Sequence, residues 1–100
     1  MYVVVRHRIG DPATAFARGQ RLISGQGAPP GVRPLQFYPS EDRSLVTCLV
    51  EADAVATVQA WVDETLGDAS VNDCYAVDGD LAFAERPLGL PAEPAVRVRN

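Results

Sequence analysis

The sequence predicts an α+β fold in which two helices cover one face of a four-stranded antiparallel sheet. Four segments have the two-residue alternation or the continuous β-branched apolar runs that are typical of strands, and two segments repeat apolar residues at helical spacing. These segments follow one another in the order β-α-β-β-α-β. Because the chain has 100 residues, of which 47% are hydrophobic and 22% are charged, we expect one domain with one core.

The first strand, predicted over residues 1–10, begins with apolar residues on both faces. One face carries Val3, Val5, His7 and Ile9, and the other carries Tyr2, Val4, Arg6 and Arg8. Since an edge strand normally keeps one face in water, this pattern predicts a central position in the sheet. Short connections and right-handed crossovers then give the ferredoxin-like βαββαβ topology, with the strands in spatial order 4-1-3-2.

The other elements follow from local signals. Residues 12–24 and 53–66 are predicted as helices, and residues 32–38, 44–51 and 71–77 as strands, with a short return strand at 81–83. Asp11 and Pro12 are typical of a helix start, and Gly67 is typical of a helix end. Pro34 has no backbone N–H to donate, which places the second strand at an edge of the sheet or gives it a bulge.

Residues 1–86 are predicted to form the folded domain, and residues 87–100 an extended, proline-rich tail whose stretch 95–99 is able to add a strand to its own sheet or to a partner's. The sheet face opposite the helices is expected to expose Tyr2, Val4, Leu45 and Leu49. Monomers rarely expose an apolar patch of this kind. We therefore expect a homodimer that packs sheet against sheet.

The composition excludes several classes of partner and chemistry. A net charge of −4 argues against nucleic acid and against an anionic membrane surface, both of which need a basic patch. All nine basic residues are arginine, so chemistry that needs a lysine is excluded. The sequence shows neither a signal peptide nor an apolar stretch of about 20 residues, and a cytoplasmic location is expected. Cys48 and Cys74 are expected to be free thiols.

The only histidine is the leading candidate for chemistry. In the simplest antiparallel register the first and fourth strands place His7 near Asp73 on the helix-covered face. A histidine oriented by a carboxylate in an apolar pocket is suited to acid or base catalysis near neutral pH, so His7 and Asp73 are the predicted catalytic residues. The alternative is a structural histidine that binds backbone or lies at the pocket rim.

Three aromatic residues are predicted to contact a ligand: Tyr75, Trp61 and Tyr38. The alternative for each is simple packing in the core. The sequence contains no phosphate-binding glycine loop, no nucleophile elbow and no Cys-x-x-Cys pair, and one histidine is too few for a histidine-rich metal site, so we predict no cofactor and no metal ligands. Arg6 and Arg8 are expected to form salt bridges rather than an anion site.

Residues 46–52, which read Val-Thr-Cys-Leu-Val-Glu-Ala, and the pair Val58-Gln59 resemble small bacterial dimeric α+β barrel proteins related to the nickel-binding domain-of-unknown-function group. The resemblance covers about residues 2–78 and includes a first-strand histidine that His7 matches. It implies a ferredoxin-like protomer and a barrel-forming dimer. This chain lacks further histidines of the nickel-binding members, one of which falls near the position of Val62.

The wider superfamily that this resemblance implies includes cofactor-independent monooxygenases, muconolactone-type isomerases, small-ligand binders and haem-handling enzymes. The leading hypothesis is a dimeric α+β barrel that binds a small apolar or aromatic metabolite, with cofactor-free oxidation or isomerisation as its chemistry if it is an enzyme. One alternative is a nickel-type metal-binding protein. Another is a non-catalytic interaction domain that binds through its tail.

Overall fold

The computed structural model of this chain describes residues 1–84, and it contains the predicted α+β architecture. The elements are β1 (Tyr2–Ile9), α1 (Pro12–Ser24), β2 (Arg33–Pro39), β3 (Leu45–Glu51), α2 (Val55–Leu66), a 3-10 turn (Gly67–Ala69) and β4 (Ser70–Ala76). The four strands are antiparallel to their neighbours and lie in the order β2-β3-β1-β4. This order confirms the predicted fold class and the central position of β1.

The core lies between the helices and one face of the sheet. Its buried members are Val3, Val5, Leu22, Val46, Cys48, Val50, Ala52, Val58, Trp61, Val62 and Leu66. The alternation predicted for β1 is present, because Val3, Val5 and His7 are all buried on the helix side. The polar ring of His7 is therefore held inside an otherwise apolar layer, with 2% of its surface exposed.

The edge strand β2 carries the irregularity that Pro34 predicts. The register against β3 shifts between Pro34 and Gln36, so that Phe37 lies opposite Cys48 and Tyr38 lies opposite Thr47. Because Cys48 is buried beneath the helices and Thr47 is exposed, Phe37 faces the core and Tyr38 lies on the other face. The bulge thus decides which side chains of β2 reach the helix-covered side.

Both helices begin and end close to the predicted residues. Asp11 caps α1, since its carboxylate accepts from the backbone N–H of Thr14 at 3.2 Å, and Gly25 ends the helix in the left-handed conformation at φ 75°. α2 begins at Val55, two residues later than predicted, with no side-chain cap. It ends at Gly67, whose φ of 58° turns the chain towards β4.

The sheet face opposite the helices is uncovered in this chain. Tyr2, Leu45, Val71 and Tyr75 are each between 46% and 55% exposed, and we call this surface the open face. Two ion pairs lie on the same face: Arg8 with Asp73 at 3.7 Å, and Arg33 with Glu51 at 2.8 Å. Of the four residues predicted for this patch, Tyr2 and Leu45 are exposed, whereas Val4 and Leu49 are half-buried, and Val71 and Tyr75 of β4 extend the patch instead.

The prediction of a return strand at 81–83 is wrong. These residues form no strand, because the backbone N–H groups of Leu81 and Ala82 donate to the carbonyl of Asp78 in a turn, and Leu81 and Phe83 are 83% and 88% exposed. The predicted tail, residues 87–100, lies outside the described residues. No helix within residues 1–84 is long and apolar enough to cross a membrane.

Two glycine substitutions should shift stability in opposite directions. Gly67→Ala should lower the free energy of unfolding by about 1–3 kcal/mol, because φ 58° and ψ −136° strain any residue with a Cβ. That Cβ would also lie 2.9 Å from Nη1 of Arg18, which donates to the carbonyl of Leu66 at 2.9 Å.

Gly19→Ala is the matched control, because Gly19 lies within α1 and its added Cβ meets no atom within 4 Å. It should raise the free energy of unfolding by about 0.5–1 kcal/mol, as expected for alanine in place of glycine within a helix. Urea unfolding followed by circular dichroism measures both changes. Two changes of the same sign would contradict this account of the α2 end.

Candidate functional site

A cavity of about 190 Å³ lies between the helices and the β1, β2 and β3 side of the sheet, and we call it the main cavity. Its lining is Val5, His7, Leu22, Ile23, Pro34, Leu35, Gln36, Phe37, Cys48, Val50, Trp61 and Val62. All but two of these side chains, His7 and Gln36, are apolar or a thiol. An apolar cavity of about 150 Å³ holds benzene, so this one has room for a single ring with a small substituent.

His7 forms part of the cavity wall, and its hydrogen bond is to a residue outside that wall. Its Nδ1 lies 2.7 Å from Oδ1 of Asn72 on β4, and its Nε2 is buried with no hydrogen-bond partner among residues 1–84. The side chain of His7 also lines a second, smaller cavity together with Ile9, Phe16 and Val46. Nε2 itself is fully buried, so a molecule in the main cavity reaches it only if neighbouring side chains move aside.

Burial changes the protonation of His7. Desolvation lowers the pKa of its imidazole, and this effect exceeds the two that raise it, namely the hydrogen bond with Asn72 and the negative charge of Asp63. The neutral imidazole is therefore favoured at neutral pH. A neutral ring has one N–H donor and one lone pair, and the nitrogen that carries the lone pair is a base or a hydrogen-bond acceptor.

The partner of His7 is itself held by several side chains. Asn72 is 7% exposed, its Nδ2 donates to Asp63 Oδ1 at 2.9 Å, and its Oδ1 also accepts from the hydroxyl of Ser70 at 2.7 Å. Gln59 on α2 donates to both carboxylate oxygens of Asp63 at 3.1 Å and to the backbone carbonyl of Asn72 at 2.8 Å. These contacts connect α2, β4 and β1 through polar groups.

The prediction that Asp73 orients His7 is wrong. The register places Asn72 opposite His7 and Asp73 opposite Arg6, so the assumed pairing is displaced by one residue and Asp73 falls on the open face. There its side chain is 64% exposed and pairs with Arg8. The acidic group that acts on His7 is Asp63, which reaches it through Asn72.

The same shift moves Tyr75, which is 52% exposed on the open face instead of in the cavity. Tyr38 is also absent from the cavity wall, because it lies beyond the bulge opposite Thr47. Its hydroxyl is buried without a partner among the described residues, and burial raises its pKa. Of the three predicted aromatic residues, only Trp61 lies in the cavity wall, where it is 6% exposed.

Sequence reasoning missed Asn72, Asp63, Gln59 and Ser70. The available signal was positional. Gln59 and Asp63 are four residues apart on one helix face, and Ser70, Asn72 and Cys74 share one face of β4 at two-residue spacing. The misleading signal was hydrophobicity, because β4 turns its polar residues inward and its valine and tyrosine outward. Asp63 and Gln59 explain that inversion by satisfying the inward polar groups.

Neither cysteine has the character of a nucleophile. Burial raises the pKa of Cys48 to about 12 and that of Cys74 to about 11, so both thiols stay protonated. The two residues lie opposite Val5 on its two sides, which separates them by two strand spacings, about 9–10 Å. A disulfide needs a shorter separation, and both cysteines are free.

Within residues 1–84 no three or more His, Cys, Asp or Glu side chains are grouped so that they could hold a metal ion. Asp63 is bonded to amide groups of Asn72 and Gln59, and the cavity side of His7 is lined by apolar residues. What this arrangement can do chemically is accept a hydrogen bond or a proton from a molecule in the main cavity.

Acidification should weaken the native state through His7. Because its pKa is lower in the folded chain than the value of about 6.5 in the unfolded chain, the unfolded chain binds more protons between those values. The free energy of unfolding therefore rises with pH in that window. It should fall by up to about 1.4 kcal/mol per unit as the pH drops below about 6.5.

Urea unfolding from about pH 7.5 to about pH 5 measures this slope. His7→Phe keeps a buried ring but removes the titrating group, so its stability should be flatter over the same interval. Equal slopes in the two proteins would show that other groups cause the pH dependence.

No protein-family model matches this chain, and comparison with curated proteins and with solved structures finds no match either. The geometry described above therefore stands alone as the basis for function. It comprises one apolar cavity of single-ring size, one neutral imidazole in its wall, and a polar chain that orients the imidazole from behind.

Proposed function

We propose that this protein binds a small, largely apolar molecule of about one ring in the main cavity, with His7 as its polar anchor. The observation that carries the proposal is a cavity of single-ring size with an almost entirely apolar wall that includes His7, whose buried Nε2 has no hydrogen-bond partner among residues 1–84. Ligand pockets typically combine an apolar lining with a few polar groups that fix orientation. Trp61 and Phe37 supply flat apolar walls for a ring.

The chemistry that this site supports is proton transfer without a cofactor. A neutral imidazole is able to take a proton from a hydroxyl or an activated carbon and return it to another atom of the same molecule, which is an isomerisation and needs no oxidant. Cofactor-independent oxygenation would begin with the same deprotonation, with O₂ as oxidant and the substrate anion as the source of electrons. Isomerisation is the simpler of the two, because the site itself supplies everything that it needs.

The other two hypotheses have less support. The part of the chain that the structure describes contains no cluster of metal-ligating side chains, so a nickel site would have to be assembled from two chains around a histidine that is buried within one. Binding through residues 87–100 concerns a segment outside the described residues. The nickel hypothesis would use His7 as a ligand but gives no role to the apolar cavity, and binding through the tail gives no role to His7 or to the cavity.

We also propose that two copies pair through the open face. Its exposed members Tyr2, Leu45, Val71 and Tyr75 extend over three neighbouring strands, and burying them in a symmetric contact would remove apolar surface from water. The pairs Arg8–Asp73 and Arg33–Glu51 neutralise four charges on that face. Arg6 lies on the same face and, within residues 1–84, does not form the salt bridge expected of it, so the contact has to pair its guanidinium or leave it in water. This pairing leaves the main cavity, on the opposite face, complete within each chain.

Binding is tested with phenol and toluene as single-ring probes, followed through the indole N–H signal of Trp61, the only tryptophan. Both probes should shift that signal in the intact protein. Cys48→Leu should weaken the binding of both by about tenfold or more, because Cys48 lines the cavity and leucine fills part of it. His7→Ala should weaken phenol binding by a similar factor through loss of the anchor.

Cys74→Leu is the matched control, because Cys74 flanks Val5 on its other side and does not line the cavity. It should leave both affinities unchanged, and thermal unfolding of each variant checks that it is folded. Absence of any probe-dependent shift in the intact protein, or equal weakening by the two leucine variants, would refute the cavity as a binding site.

The dimer is tested by sedimentation. The full chain should sediment at twice its formula mass, and Leu45→Lys should produce monomers, because Leu45 lies on the central strand β3 of the open face. Leu81→Lys, which changes a residue 83% exposed outside the sheet, should remain dimeric. A monomeric parent protein, or a dimer that survives Leu45→Lys, would remove the open face from this role.

A further inference from the structure

We infer that Asp63, acting through Asn72, fixes His7 as the tautomer with the proton on Nδ1, so that the main cavity selects molecules with a hydrogen-bond donor. The ligand class would be a single-ring compound that carries a weakly acidic O–H or N–H, such as a phenol, an enol or an azole. The ligand class rests on the proposed function, whereas the tautomer does not. Asp63 and Asn72 are positioning residues in this account.

The first step is the orientation of the amide of Asn72. An ionised carboxylate only accepts hydrogen bonds, so the Asn72 atom that lies 2.9 Å from Asp63 Oδ1 must be the donor Nδ2. The reversed amide would set its oxygen against the carboxylate oxygen, which is repulsive. The amide oxygen of Asn72 is consequently the atom that faces His7.

The orientation of Gln59 supports this assignment independently. The backbone N–H of Cys74 donates to Gln59 Oε1 at 3.3 Å, and a backbone N–H has no alternative role. Gln59 Nε2 is then the donor to Asp63, which leaves Asp63 as an acceptor from both amides. The backbone N–H of Cys74 can only donate, and the carboxylate of Asp63 can only accept. These two groups therefore determine the direction of each hydrogen bond between Cys74 and Asn72.

The second step is the tautomer of His7. Oδ1 of Asn72 accepts from the Ser70 hydroxyl at 2.7 Å and lies 2.7 Å from Nδ1 of His7, so Nδ1 must carry a proton. Burial lowers the pKa of this imidazole, which leaves it neutral with that one proton. Nε2, which is buried without a partner among residues 1–84, then carries the lone pair, on a residue that lines the main cavity.

The third step is ligand selection. A lone pair is satisfied by a donor and repels another acceptor, and a site built to bond a hydroxyl rejects an analogue that lacks it. Toluene and phenol have nearly the same shape, and only phenol offers a donor. The site should therefore favour phenol over toluene, although both fit the volume and the apolar walls.

The tautomer is measured without any ligand. The full chain has one histidine, so a long-range ¹H–¹⁵N correlation spectrum at about pH 8 reports His7 without ambiguity. The expected result is the shift of a protonated nitrogen at Nδ1 and of a lone-pair nitrogen at Nε2. The opposite tautomer, or a rapidly exchanging mixture, would overturn the inference.

The role of Asp63 is measured with Asp63→Asn, which keeps the shape of the side chain but allows it to donate or accept. Asp63 is exposed, so the variant is expected to fold. Its His7 spectrum should move towards a mixture of tautomers. Asp73→Asn removes a carboxylate of the same kind from the open face and should leave the spectrum unchanged, whereas equal changes, or none in either variant, would overturn the role of Asp63.

Ligand selection is measured as the ratio of phenol to toluene affinity. The intact protein should favour phenol by about tenfold, and Asp63→Asn should reduce that ratio by about threefold or more with toluene affinity unchanged. Equal affinities in the intact protein would overturn the ligand class while the cavity remained a binding site. If neither probe binds, the proposed function and the ligand class both fail, and the tautomer is judged by its spectrum alone.

Discussion

The 2.7 Å hydrogen bond between His7 and Asn72 is the contact on which the arrangement of this molecule depends. A histidine that is 2% exposed in an apolar layer loses the hydration of both ring nitrogens. The bond to Asn72 compensates one of them, and Ser70 and Asp63 pair the side-chain amide of Asn72 in turn, while Gln59 donates to Asp63 and to the backbone carbonyl of Asn72. The polar contacts of the core therefore form one connected set that begins at a helix surface and ends at β1.

The strand order gives the two nitrogens of His7 different surroundings. β1 has β4 on one side and β3 on the other, so the ring of His7 has a polar β4 residue beside Nδ1, whereas the main cavity that His7 also lines draws its wall from β1, β2, β3 and the helices and from no residue of β4. The bulge at Pro34 and Gln36 helps to form that cavity, because it brings successive β2 residues into the cavity wall. Topology thus separates the group that orients the imidazole from the space in which a ligand would meet it.

Sequence patterns were sufficient for the fold and for His7 because both rest on alternation within one strand. Val3, Val5 and His7 share a face whatever their neighbours do. The partner of His7 depends on the register between two strands. A shift of one residue moves each side chain of β4 to the other face, so that Asn72 and not Asp73 lies opposite His7. The inward serine and asparagine of β4 concealed that register, since a hydrophobic pattern predicts apolar residues there. The cavity depends on side-chain volumes across five elements, which no local pattern contains.

Only one of the two ring nitrogens of His7 has a hydrogen-bond partner within residues 1–84. This argues that His7 serves a purpose other than stability. A buried acceptor with no partner is unfavourable by about 1–3 kcal/mol, and an apolar ring in the same place would avoid that cost while filling the same space. Native cores keep such groups rarely, and sites where local rules are broken without structural gain are typically functional. Here the break lies in a residue that lines a cavity, and the surrounding chain orients the ring through Asn72 and Asp63 while it buries the nitrogen that has no partner among residues 1–84. The same four polar residues would be superfluous if His7 only filled space, because an apolar β4 face would pack against α2 without them.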